Sequence, residues 1–205
     1  LFGIVLRTRP GKVGKAYEEI WNKELDESYL RTYTRSQAEK LGEALNGHAE
    51  IIADWAMRYG NPSIAAGLHE LRQAGARRLL VLPLYPQYSA TTTASIFDAV
   101  TAELRTWRWL PELRMIGHYH DHPAYIRAIS ESIRSHWQQH GQMEKLLMSF
   151  HGLPQANVDR GDPYQRQCEQ TARLLAKELG LEDADWSIGY QSRFGRQTWI
   201  QPYTS

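Results

Sequence analysis

Cysteine is almost missing from this 205-residue chain: Cys168 is the single one. That excludes an internal disulfide framework and suits a reducing compartment. Long apolar runs are missing too. None reaches the roughly 20 residues that span a bilayer, and no signal-peptide pattern precedes the first strand-like residues. Neither sign of charge dominates, with 24 basic residues against 23 acidic ones, so no overall field favours nucleic acid or an anionic membrane. Repeats, low-complexity stretches and long linkers are also lacking. What is left is a globular chain of one large domain or two small ones. Leu1 opens in an apolar run without a methionine, and we expect a fragment of a longer protein.

Aromatic residues are plentiful, with 7 Trp and 11 Tyr. Each joins an apolar face to a polar tip, which suits core and rim packing first and a pocket for a flat organic ligand second. Four apolar segments rich in branched residues read as strands: 51–57, 78–84, 114–119 and 145–150, with a weaker fifth at 186–191. Between them, apolar residues at helical spacing predict helices over 36–45, 63–74, 94–107, 123–140 and 163–179. Ser63 after Asn61-Pro62 supplies an N-cap, and Gly180 a left-handed stop. Alternating strands and helices of this length imply βαβ units, a parallel sheet and helices on both faces. The stretch from Trp107 to Glu112, which contains Pro111, is the candidate seam between two α/β halves.

One residue stands out for chemistry. In Ser149-Phe-His-Gly-Leu-Pro154 an apolar strand delivers His151 to its carboxyl end, where ligands bind in open α/β sheets. A neutral imidazole there accepts a proton near neutral pH or ligates a metal. The loop Leu82-Pro-Leu-Tyr-Pro-Gln-Tyr-Ser-Ala-Thr-Thr-Thr93 offers hydroxyls from Ser89, Thr91, Thr92 and Thr93 at a helix start, for an anion or for capping. Arg58, in Arg58-Tyr-Gly-Asn-Pro62, is placed to grip a carboxylate or to lie on the surface. His118, His120 and His122 alternate, as zinc ligands on an extended segment would. Because Pro123 and a helix follow at once, solvated histidines are expected instead. In Gln191-Ser-Arg-Phe-Gly-Arg-Gln-Thr-Trp199, the tryptophan could wall a pocket. Cys168, inside a predicted helix, is expected to be buried and inert.

Together these segments resemble ferrochelatase, which inserts ferrous iron into a porphyrin in haem synthesis, and look like its bacterial form. The motifs that carry the resemblance are Leu82-Pro-Leu-Tyr-Pro-Gln-Tyr-Ser89, Ser149-Phe-His-Gly-Leu-Pro154, Gly161-Asp-Pro-Tyr164 and Gln191-Ser-Arg-Phe-Gly195 with Trp199, in order and at the expected separations. The resemblance covers essentially the whole chain. It implies two Rossmann-like, chelatase-type parallel-sheet domains, residues 1–112 and 113–205, both incomplete, with a porphyrin held in the cleft between them. It implies His151 as the catalytic and metal-contacting histidine. Arg9, Tyr17, Ser28, Arg58, Tyr59, Ser89, Gln191, Ser192 and Trp199 match positions that hold or line the porphyrin site. The family also implies a strand and Gly-Thr-Pro loop before Leu1. After Ser205 it implies roughly a hundred further residues, carrying the acidic partner of His151.

Two departures stand out. Ser28-Tyr29-Leu30 replaces the usual Ser-Pro-Leu, and Ala90 stands where animal enzymes carry a cluster-ligating cysteine, so no iron–sulfur cluster is expected. The resemblance implies Fe2+ and protoporphyrin IX as substrates and a cytoplasmic setting, without nucleic acid. It is compatible with a monomer or homodimer and with peripheral membrane contact. Rival readings are a chelatase of another tetrapyrrole (cobalt or sirohydrochlorin type), a porphyrin- or haem-binding carrier, and a metal-dependent hydrolase built on His118, His120 and His122.

Overall fold

A computed structural model describes residue 18 and residues 20–47, 50–193 and 195–204. The chain divides into two compact units, Leu1–Leu79 with Ala99–Glu112 and Leu80–Asp98 with Leu113–Ser205. It is an α/β chain. Among the described residues, no helix is long and apolar enough to cross a membrane.

In the first unit, β1 (Trp21–Asn22) and β2 (Glu27–Ser28) form a small antiparallel hairpin. The Asn22 Oδ1 accepts the amides of Glu24 and Leu25, a local turn that competes with regular structure. The helix α1 (Tyr29–Leu45) follows directly, capped by the Ser28 hydroxyl, which accepts the Arg31 N–H at 3.3 Å. It therefore starts seven residues before the predicted Ser36. The β-branched and aromatic residues of Tyr29-Leu-Arg-Thr-Tyr-Thr34 have weak helical propensity, and the cap and the hairpin override it. The helix α2 (Ile64–Gln73) is capped by Ser63 as expected.

Among the described residues the predicted strand 51–57 finds no ladder partner. Among the described residues it makes one bridge, Met57 to Ser63, and Ile51 and Ile52 are about half exposed. A strand needs a ladder partner, which an apolar run does not supply. The segment instead packs small residues on helices: Ala53 lies against Gly42, and Ala56 against Gly67.

The strands β3 (Arg78–Val81) and β4 (Glu112–Met115) pair and run through both units. The Glu112 N–H donates to the Arg77 carbonyl within the first unit, and the Ile116 N–H to the Val81 carbonyl within the second. Both strands advance four residues between these bonds, so they are parallel. Each is shorter than predicted, and Pro83 follows where β3 has ended. The helix α3 (Thr93–Leu104) joins them.

The second unit holds the clearest parallel ladder. Strands β5 (Leu146–His151) and β6 (Trp186–Gln191) are in register from Leu146 opposite Trp186 to His151 opposite Gln191. The helices α4 (Pro123–His140) and α6 (Tyr164–Leu179) pack with this pair, and the short α5 (Gln155–Asp159) leads from one motif loop to the next. Pro123 opens α4 where its missing N–H costs nothing, and Gly180 closes α6 at φ 71°. The buried stripe of α6 comprises Gln167, Cys168, Thr171, Ala172, Leu175 and Ala176, spaced at helical period. Its Ala172, Leu175 and Ala176 join Ile126 and Met148 in the main core, where each large side chain contributes roughly 1.5–3 kcal/mol.

Glu27 is the charged group on which the hairpin turns. Its side chain is buried, yet it accepts both guanidinium nitrogens of Arg35 at 3.2 and 2.7 Å, the Thr32 hydroxyl at 2.9 Å, and has Arg31 at 3.2 Å. Burial pulls its pKa up, but the Thr32 hydrogen bond and the Arg35 and Arg31 charges outweigh it and hold the pKa below 4.5. A carboxylate depressed in the folded state adds stability above its unfolded pKa and loses it as pH falls through the folded one. In the full-length protein, Glu27→Gln should therefore lower the unfolding temperature at neutral pH. The gap to wild type should narrow as pH drops below about 4.5; thermal melts showing a pH-independent gap would contradict this account.

Candidate functional site

The carboxyl end of β5 carries His151, with its side chain exposed. Beneath it Phe150 and Tyr190 are in contact, ring centroids 6.4 Å apart. The ladder continues one step past the imidazole, where the Gly152 N–H donates to the Gln191 carbonyl at 2.7 Å. A Cβ at Gly152 would stand 2.8 Å from that oxygen and 3.2 Å from Cε3 of Trp199. Only glycine fits so close an approach.

A second strap holds the following loop. Gln155 N–H donates to the Thr198 carbonyl, and Ile200 N–H to the Leu153 carbonyl, both at 2.9 Å. Trp199, 5% exposed, is pinned between them with a bridge to Pro154. Its ring is thus mostly a buttress for the His151 loop rather than an open wall. Gln191 and Ser192 are exposed beside it, and Ser192 turns the chain at φ 69°. The site residues the structure brings together are therefore His151, Gln191, Ser192 and Trp199.

Behind the strand end lies a floor of groups that stay neutral. Cys168 is buried, as expected, and burial pushes its thiol up to about 12, so it stays protonated. Burial likewise raises the phenols of Tyr164 and Tyr190, and the Tyr164 oxygen is hydrogen-bonded to the His151 backbone. These groups carry no charge near neutral pH.

The Gln-Tyr-Ser loop is tied down from the same unit. Ser89 is fully buried, and its hydroxyl donates to Asp162 Oδ2 at 2.9 Å. The Ala90 N–H donates to the same oxygen at 2.8 Å, and the Tyr164 N–H to the other carboxylate oxygen at 3.1 Å. Gln87 donates to the Thr171 hydroxyl, and the Tyr88 N–H to Gln167 Oε1. The hydroxyl of Ser89 is consumed inside the protein, so it shapes this loop from within. Asp162 is the residue that reading the sequence for chemistry missed. Its only signal was Gly161-Asp-Pro-Tyr164, a carboxylate in a stiff turn.

The other candidates fall elsewhere. Ser28 caps α1, and Arg58 lies over the Tyr59 ring at 4.6 Å, with Tyr59 77% exposed; all three belong to the first unit. Arg9 and Tyr17 lie outside the described residues. His118 and His120 lie together, ring centroids 5.0 Å apart, while His122 is turned to the start of the next helix. His122 Nδ1 accepts the Ala124 N–H as the cap of α4, whereas His120 is 4% exposed, not solvated.

A family model described as ferrochelatase matches residues 1–205. The chain is 52% identical over 209 residues to a ferrochelatase of Rhizobium meliloti, covering 100% of this chain and 60% of that protein. Over 204 residues it is 52% identical to a ferrochelatase of Nitrosococcus oceani, covering 99% and 55%. A ferrochelatase of Marinobacter nauticus is 50% identical over 206 residues, covering 100% and 55%. The chain thus spans little more than half the length of these curated relatives.

Two substitutions test the geometry of the strand end and its neighbouring loop. Gly152→Ala forces the crowded β5–β6 end apart and should destabilise the protein by about 1–3 kcal/mol. Asp162→Ala leaves the buried Ser89 hydroxyl without its acceptor and should cost about 1–3 kcal/mol. Urea denaturation of the full-length variants reads both, and a wild-type midpoint for either would show that its contact carries no stability.

Proposed function

Because this chain belongs to the ferrochelatase family, we propose that the protein containing it inserts Fe2+ into protoporphyrin IX to give protohaem, with His151 as the group that meets the reacting centre. The observation that supports this reading most is the exposed imidazole at the carboxyl end of a parallel strand, held there by Gly152 and Trp199. Insertion removes two protons from pyrrole nitrogens as the ion enters. A neutral imidazole takes such a proton, or holds the arriving ion on one face of the ring. Exposure lets it pass a proton on to solvent between turnovers.

In this proposal Gln191 and Ser192 line the porphyrin beside His151, and Trp199 keeps the loop in place. Arg58 and Arg9 are suited to propionates, through charge-assisted hydrogen bonds. Tyr17, Ser28 and Tyr59 contact the macrocycle, and Ser89 acts through the loop that it shapes. The same proposal assigns residues 1–112 and 113–205 to two chelatase-type domains and places the protein in the cytoplasm. Its small-molecule partners are the porphyrin and ferrous iron as substrates, without an iron–sulfur cluster.

The test uses the full-length enzyme. His151→Ala should lower iron insertion by about 10²–10⁴-fold, the usual worth of a positioned acid–base group. Protoporphyrin binding, followed by fluorescence quenching, and the melting temperature should stay close to wild type. Undiminished turnover in His151→Ala would remove His151 from the reaction. A wild-type protein that binds porphyrin and never metallates it would be a carrier.

A further inference from the structure

The segment between β4 and α4 holds a second constellation that the His151 site does not use. The donor atoms of His118, His120 and Asp121 lie within 4.8 Å of one another. The two imidazole centroids are 5.0 Å apart. His118 and Asp121 are exposed, whereas the His120 side chain is 5% exposed. The His120 Nδ1 is shut off from solvent and has no hydrogen-bond partner, with the nearest Asp121 oxygen 3.8 Å away. That is too far for a hydrogen bond.

The surroundings of His120 explain why that nitrogen is bare. His120 Nε2 lies 3.1 Å from Gln170 Oε1. An amide oxygen only accepts, so in the tautomer that makes this bond Nε2 donates and Nδ1 presents its lone pair. The Gln170 NH2 group then points at Asp121 Oδ2, 3.4 Å away. One glutamine on α6 thus touches both the histidine and the carboxylate and favours the tautomer with Nδ1 bare. The Thr171 hydroxyl, 2.9 Å from the His120 carbonyl, ties down the backbone of the same residue. A ring N–H given to an oxygen acceptor, with the other nitrogen left bare, is the usual state of a metal-ligating histidine.

From this geometry we propose a second metal site, in which His118, His120 Nδ1 and Asp121 bind a divalent transition ion of the zinc, cobalt or ferrous class. Two imidazoles and a carboxylate select that class over calcium or magnesium. Three protein donors leave a position for water. Donors at about 2.1 Å from a tetrahedral ion stand about 3.4 Å apart, so the cluster must contract by about an ångström. The exposed side chains of His118 and Asp121 are free to make that move around a fixed His120. The site is built within one unit and does not depend on the porphyrin proposal.

Cobalt(II) is the probe, added to the full-length protein without porphyrin and followed by equilibrium dialysis and visible absorption. In a His151→Ala background, which removes the other imidazole, one Co2+ should still bind. Adding His118→Ala and Asp121→Asn, both at exposed positions, should weaken that binding at least about 10-fold with circular dichroism unchanged. Gln170→Ala should keep the stoichiometry and weaken affinity about 10-fold or more, as loss of an orienting partner does. No Co2+ bound by His151→Ala, or equal affinity after the added substitutions, overturns the proposal. Failure of iron insertion would leave it untouched, and the two readings fail separately.

Discussion

The exposed end of the β5–β6 ladder is defined by how closely two backbones approach at Gly152. Side chains of a strand alternate between faces, so the direction of His151 is set by the residues paired on either side of it. On one side Phe150 opposite Tyr190 belongs to the core; on the other the Gly152 N–H meets the Gln191 carbonyl at 2.7 Å. A side chain at position 152 would prevent that closure, because its first carbon would reach the oxygen at 2.8 Å. The same demand recurs one strand away. A Cβ at Gly189 would lie 2.6 Å from Thr204, because the chain at 202–204 hydrogen-bonds along the other side of Tyr190. Two glycines thus let three stretches of backbone close around one strand end.

That rigidity is complemented by an uncharged interior. Cys168, Tyr164 and Tyr190 have their ionised forms disfavoured first by burial. The nearest fixed carboxylate of the motif loops, Asp162, is occupied by Ser89, Ala90 and Tyr164.

Some of this was legible in the sequence and some was not, for identifiable reasons. The helix 123–140 and the strand 186–191 match their predicted bounds, the helix because Pro123 is a strong local signal and the strand despite a weaker apolar pattern. His151 at a strand end was readable from an apolar run broken by Gly-Leu-Pro. The segment 51–57 forms no ladder among the described residues, since composition reports burial tendency and not pairing. The hairpin at Trp21–Ser28 was invisible because two-residue strands have no periodicity, and its stability comes from Glu27 meeting Arg31 and Arg35 at a distance in sequence. Ser89 read as a hydroxyl for an anion or for capping, and its partner, Asp162, lies 73 residues away. The histidines at 118, 120 and 122 have one spacing and three environments, which no pattern distinguishes.

The helix α6 is a ruler as well as a packing element. Successive residues of one turn are assigned to different clients. Gln167 and Thr171 hold the loop of Gln87 and Tyr88, Cys168 fills the floor under the strand end, and Gln170 faces His120 and Asp121. Each residue along an α-helix is rotated by about 100° from the last. Inserting or deleting a single residue before Gln167 would therefore swing all four side chains to new bearings together. A change of length beyond Gly180, where the left-handed turn ends the helix, would leave those bearings unaltered.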